Sequence, residues 1–159
     1  MTRLLAAAAL VLACAACGGA SKPAGDPGPF ALSVLDRVVH NRYADAWDDL
    51  HPVDRKAAPR AEYVGCEGRS PVIAVPRTVE VVSVKDESVG LGDGTFVDSK
   101  AVALRLGFKG GFHLVHTVHV VSTEGKWRWI LPGWRFREYR SGRCPTDAGS
   151  SPAPSPSSA

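Results

Sequence analysis

Three histidines, His113, His116 and His119, recur at intervals of three in a stretch rich in β-branched residues. Imidazole is the commonest metal ligand, so the first chemistry to weigh is a zinc site. On a strand, alternate residues share a face, which points His113 and His119 one way and His116 the other. His113 and His119 are also about 20 Å apart along a strand rising 3.3 Å per residue. Zinc holds its ligands at about 2 Å, so no two of the three share a metal within one regular strand. A bulge that changed the parity, helped by His40 or His51, would be required. The spacing predicts sheet-face histidines, with no metal site and no cofactor.

Carboxylates come next. Asp36, Asp45, Asp48 and Asp49 crowd the first third of the chain, mostly off the apolar stripes of its helical repeats, where solvation accounts for them. No Ser/His/Asp order, phosphate-cradling loop or paired-acid spacing stands out, so the pattern alone assigns no catalytic residue.

The four cysteines fall into two pairs of different meaning. Cys14 and Cys17 form a Cys-x-x-Cys, elsewhere a redox motif or half a zinc site. Here it ends an apolar run, and the chain has no second Cys-x-x-Cys. Met1-Thr2-Arg3 is a basic start and Leu4 to Ala13 an uncharged apolar run, too short for the roughly 20 residues of a bilayer span. This reads as a secretory signal peptide. Val11-Leu12-Ala13-Cys14-Ala15-Ala16-Cys17-Gly18-Gly19 resembles the bacterial lipobox, whose cysteine carries a diacylglycerol thioether and becomes the mature N-terminus. Cys17 follows small Ala15 and Ala16 and is favoured for lipidation. Cys14 competes, with aliphatic Val11 well placed but bulky Leu12 where a small residue is preferred.

The expected organisation is a lipoprotein-type signal peptide over 1–17, a flexible tether over 18–29, one domain over 30–144 and a Ser/Pro/Ala tail over 145–159. The expected address is the outer face of the cell membrane, reached by export and held by lipid, or else secretion. In an oxidising compartment the remaining pair, Cys66 and Cys144, is expected to form a disulfide.

The elements that must position these groups follow from periodicity. Ala31, Val34, Leu35 and Val38 keep helical spacing, and Asn41 marks a break. Tyr43, Ala46, Trp47 and Leu50 repeat it, and His51-Pro52 closes the helix. Asp54 is placed to cap a short turn, and Pro59 to open a helix carrying Tyr63 and Val64 to Cys66. From Val72 the period becomes two. Val79–Val84 reads as a strand and Gly90–Thr95 as a loop. Val102, Leu104, Leu106 and Phe108 alternate with smaller or polar residues, Gly110-Gly111 turns the chain, and Phe112–Thr123 continues as a second strand. After a turn at Glu124-Gly125, Trp127, Trp129 and Leu131 oppose Lys126, Arg128 and Ile130. Trp134 and Phe136 likewise alternate with Arg135 and Arg137. Helices followed by an antiparallel sheet give an α+β domain.

Three passages carry a resemblance: Tyr43-Ala44-Asp45-Ala46-Trp47-Asp48-Asp49-Leu50-His51-Pro52, Tyr63-Val64-Gly65-Cys66-Glu67 and Gly125-Lys126-Trp127-Arg128-Trp129. With the terminal Arg-Cys-Pro, they resemble small actinobacterial exported lipoprotein-type members of the nuclear-transport-factor-2-like (cystatin-like cone) superfamily. The resemblance implies helices packed on a strongly curved antiparallel sheet around a cavity. Tyr43, Trp47, Tyr63, Val102 and Trp129 are the residues expected to line it. It is nearly silent on function, because superfamily members include isomerases, dehydratases, transport factors and inert modules.

The net charge of +3 is too small to point to nucleic acid. The C-terminal third is locally basic, and Arg135 with Arg137 offers a face for anionic lipid headgroups or acidic envelope polymers. The leading expectation is a non-enzymatic, membrane-tethered accessory domain that binds an envelope protein or ligand. One alternative is a carrier of a small apolar ligand in the cone cavity. Another is an acid–base enzyme of the ketosteroid-isomerase-like type, with His113 or Asp36 as base.

Overall fold

The computed structural model describes residues 25–146. Cys14, Cys17, the signal segment, the tether up to residue 24 and the tail from residue 147 lie outside the described residues. Among the described residues, five helices and four strands follow in the order α1 (Pro27–Val39), α2 (Tyr43–Asp48), α3 (Pro52–Ala57), α4 (Arg60–Arg69), β1 (Thr78–Gly90), β2 (Phe96–Gly107), β3 (His113–Thr123), β4 (Lys126–Trp129) and α5 (Gly133–Arg140).

Helix α1 begins inside the segment expected to be tether. Asp26 accepts a hydrogen bond from the Gly28 N–H at 2.8 Å, and Pro27 sets the first helical φ. Ala31, Val34, Leu35 and Val39 then form one buried stripe. Asn41, in the left-handed region at φ 59°, stops the helix and pairs with the backbone of Val72 through both ends of its amide. Pro52 starts α3, but the cap is His51, whose Nδ1 accepts from the Val53 N–H. Asp54, expected as the cap, is instead fully buried.

The sheet is antiparallel in the order β1-β2-β3-β4, so the fold is α+β as the pattern of elements predicts. It is not strongly curled, unlike the sheet the resemblance implies. In register, Val102 faces Val118, Leu104 faces His116 and Leu106 faces Leu114. Val102, Leu104, Leu106, Val118 and Val120 pack with the α1, α2 and α4 side chains in the main core. A smaller cluster forms from Leu91, Val121 and Ile130, with Val53, Val89 and Val97 against it.

The last element departs from the alternating pattern. Strand β4 pairs with β3 over Val120–Thr123 and ends in a parallel bridge between Trp129 and Leu50, and its ladder with β3 closes with the Ile130 N–H donating to the His119 carbonyl at 3.0 Å. Continuing that register would set Pro132 opposite Thr117, and proline has no N–H to donate. The chain leaves the sheet there and coils into α5, burying Phe136 and Tyr139 on one helical face. Trp134–Arg137 is therefore helix, not the strand its alternation predicts. Among the described residues, no strand covers the outer edge of β3 over 113–118.

Candidate functional site

The space left beside that uncovered edge is a cavity of about 360 Å³. One wall comes from α1 through Val34, Leu35 and Val38, the opposite wall from Trp129, Ile130 and Leu131 at the end of β4. Val34, Leu35, Trp129 and Leu131 face inward because the helical stripe of α1 and the alternate residues of the sheet are buried against one another, while Ile130 belongs to the smaller cluster with Leu91 and Val121. Trp129 is held in place by its indole N–H, which donates to the Ala46 carbonyl at 2.7 Å. Its ring meets Tyr63 edge-on, with centroids 6.4 Å apart.

One end of the cavity is polar, formed by Tyr63 and Glu67 of α4, Arg135 of α5 and His116 of β3. Arg135 and the Tyr139 hydroxyl both donate to Glu67 Oε1. Glu67 has only 11 % of its side chain exposed, which makes the ion pair largely shielded. Burial opposes the Arg135 charge, but the Glu67 carboxylate outweighs it and holds the guanidinium above its ordinary range. Burial, and then Glu67, pushes the Tyr63 hydroxyl well up; burial and the bond to Glu67 do the same to Tyr139. Both phenols stay protonated. His116 opens to solvent on one side, yet the protein crowding its ring, reinforced by Arg135, lowers its pKa and favours the neutral imidazole.

The Cys66–Cys144 disulfide closes this end of the molecule. It joins α4, one residue before Glu67, to the segment following α5. The covalent link and the Glu67–Arg135 and Glu67–Tyr139 contacts thus tie together the same two parts of the chain.

Of the residues expected to line a cavity, Tyr63 and Trp129 do so. Val102 is enclosed in the core, Tyr43 donates its hydroxyl to Asn41 Oδ1 at 2.6 Å, and Trp47 donates to the Ala58 carbonyl at 2.7 Å. Arg135 turns into the polar end while Arg137 stays exposed, because two residues' step along a helix separates them by about 200°. Much of the basic character nearby is matched by acids: Arg128 lies near Asp49 and Arg143 bonds Glu138.

The bases considered for an enzyme lie elsewhere. Asp36 pairs with Arg42 at the surface and has His40 Nδ1 3.1 Å away; His113 is exposed. His119 does line the cavity, with its Nε2 3.2 Å from Glu87; Asp45 lies near Arg42, Asp48 near Arg60, and Asp49 pairs with Arg37. Among the described residues, no group of three or more His, Cys, Asp or Glu side chains is placed to hold a metal ion. Glu67 escaped the sequence reading because it is flanked by Cys66 and Gly68 on a helix and nothing local distinguishes it from a solvated acid. Its partners come from 68 and 72 residues away.

Compared with known proteins, the chain matches no protein-family model and no curated protein.

Asp54 forms a second buried polar feature, outside the cavity. Its Oδ2 accepts the Leu131 N–H at 3.3 Å, while Oδ1 is buried without a partner. Burial raises its pKa to about 7, partly opposed by that backbone bond and assisted by Asp93. Asp54 fastens α3 to Leu131, which itself lines the cavity.

Proposed function

We propose that this chain is an exported, lipid-tethered binding domain that takes up a small, largely apolar molecule in the cavity between α1, α4 and the β3–α5 side of the sheet. The observation that carries the reading is the cavity: apolar walls, a few polar groups gathered at one end, and a volume within the range of small-molecule sites. Helices set against one face of an antiparallel sheet, with a space between them, also support a distant nuclear-transport-factor-2-like relationship. The basic start, apolar run and Cys17 of the N-terminal sequence support export and tethering.

A protein partner docked on Arg135 and Arg137 is less well supported, since Arg135 is committed to Glu67. Acid–base catalysis by Asp36 or His113 lacks support, as neither lines the cavity.

The test uses the full, oxidised chain. Labelled palmitate should enter the protein in its own envelope, and Cys17→Ser should abolish it. Native mass spectra after incubation with envelope extract should show a retained added mass, lost from a folded Val38→Trp variant that fills the cavity. A wild-type chain that retains no mass from any extract fraction overturns the binding reading.

A further inference from the structure

The polar end of the cavity has hydrogen-bonding capacity that the protein itself leaves unused. Tyr63 is only 2 % exposed and lines the cavity. Its hydroxyl makes no hydrogen bond to any described residue, and it is not among the polar atoms sealed off from solvent. It therefore opens into the cavity. The imidazole of His116 on β3, which also lines the cavity and is exposed on its outer side, has no hydrogen-bond partner among the described residues either. A buried phenol left without a partner is uncommon, because its desolvation goes uncompensated.

Charge narrows the kind of partner these groups await. Glu67 and Arg135 neutralise each other, so the polar end carries two formal charges and no net one. An anionic or cationic head entering it would lose hydration and find no uncompensated counter-charge. A hydroxyl or carbonyl loses much less, and both phenol and neutral imidazole can complement it. Apart from Thr117 and His119 on β3, the remaining side chains of the lining are aliphatic and aromatic.

We infer that the occupant is an uncharged amphiphile, its single hydroxyl or carbonyl head held by Tyr63 and His116 and its apolar body lying along α1. This rests on the cavity-binding reading above and specifies its ligand class.

Titration calorimetry on the full, oxidised chain at neutral pH tests it with four probes: 1-decanol, decanoate, decylammonium and the headless butylbenzene. Decanol should bind at least about tenfold more tightly than either ion. Tyr63→Phe, which breaks no bond within the protein, should weaken decanol about three- to tenfold and leave butylbenzene unchanged. His116→Leu, at a partly open position, should act in the same direction. If decanoate or decylammonium equals decanol, or if both variants bind decanol as the wild type does, the inference fails. Butylbenzene binding that Val38→Trp abolishes would then leave the cavity reading standing. If the wild type binds none of the four, both fall together.

Discussion

Asp54 is a carboxyl enclosed by protein, and its effect on stability can be signed. The folded state holds its proton to about pH 7, whereas the unfolded chain releases it near 3.8. Between those values the unfolded state binds fewer protons, so this group's contribution to stability falls as pH rises and levels off above 7. His51 and His116 act oppositely: burial lowers both from 6.5, so their contribution is present above that value and lost as pH falls. Comparison with Asp54→Asn isolates the carboxyl. Urea unfolding should show the wild type losing about 2 kcal/mol more than the variant between pH 5 and pH 8. Equal losses would mean that the ionised carboxylate is accommodated. The sequence placed Asp54 at a helix start, where an exposed cap is the ordinary role. Its burial depends on Leu131, 77 residues away.

Short elements here are defined by what they cannot do. Pro132 cannot extend the ladder, so β4 ends and α5 begins, which brings Arg135 and Tyr139 to Glu67 and leaves the β3 edge open. Helix α5 also packs Phe136 against the β1–β2 loop, where a Cβ built on Gly92 would lie 1.9 Å from the ring. Gly92→Ala must therefore displace either the loop or the helix. We expect a destabilisation of about 1 to 3 kcal/mol by urea unfolding, accompanied by faster hydrogen exchange in 133–140. An unchanged midpoint would mean that α5 is not held by this contact. Helices α1 and α2 and the strands were legible from apolar spacing, α4 from Pro59, and the loop after Gly90 from its glycines, whereas α3 was read only as a short turn and β1 runs on past Val84 to Gly90. Helix α5 was not, because Trp-Arg-Phe-Arg satisfies a two-residue alternation just as well, and local pattern does not say whether a strand has a neighbour to pair with.

At the scale of the whole molecule, the Cys66–Cys144 bond spans 78 residues of sequence and encloses the entire sheet and α5. Closing a loop of that length removes about 4 to 5 kcal/mol of unfolded-state entropy in the chain-entropy model, a large part of a typical domain's 5 to 15 kcal/mol. The Cys66→Ala, Cys144→Ala double variant should melt markedly lower than the oxidised wild type. Its α5 amides should lose exchange protection before those of β2, and its affinity for the cavity probes should fall. A variant that melts lower with unchanged binding would show that Glu67, Arg135 and Tyr139 hold that end without the covalent link. Among the described residues no helix is long and apolar enough to cross a membrane, and the segment proposed to anchor the protein lies before them.

The sequence by itself determined the elements that repeat an apolar period: the helices of the first third, the hairpin strands, and hence an α+β domain. It also paired Cys66 with Cys144, because only two cysteines remain once the N-terminal pair is set aside. Tertiary structure alone decided the cavity and its polar end. Tyr63, Glu67, His116 and Arg135 are scattered over three elements, α4, β3 and α5, and each has an ordinary solvated or core reading in its own neighbourhood. Periodicity reports which side of an element is buried. What a buried side chain meets there is set by where distant elements cross, through contacts that no local spacing encodes.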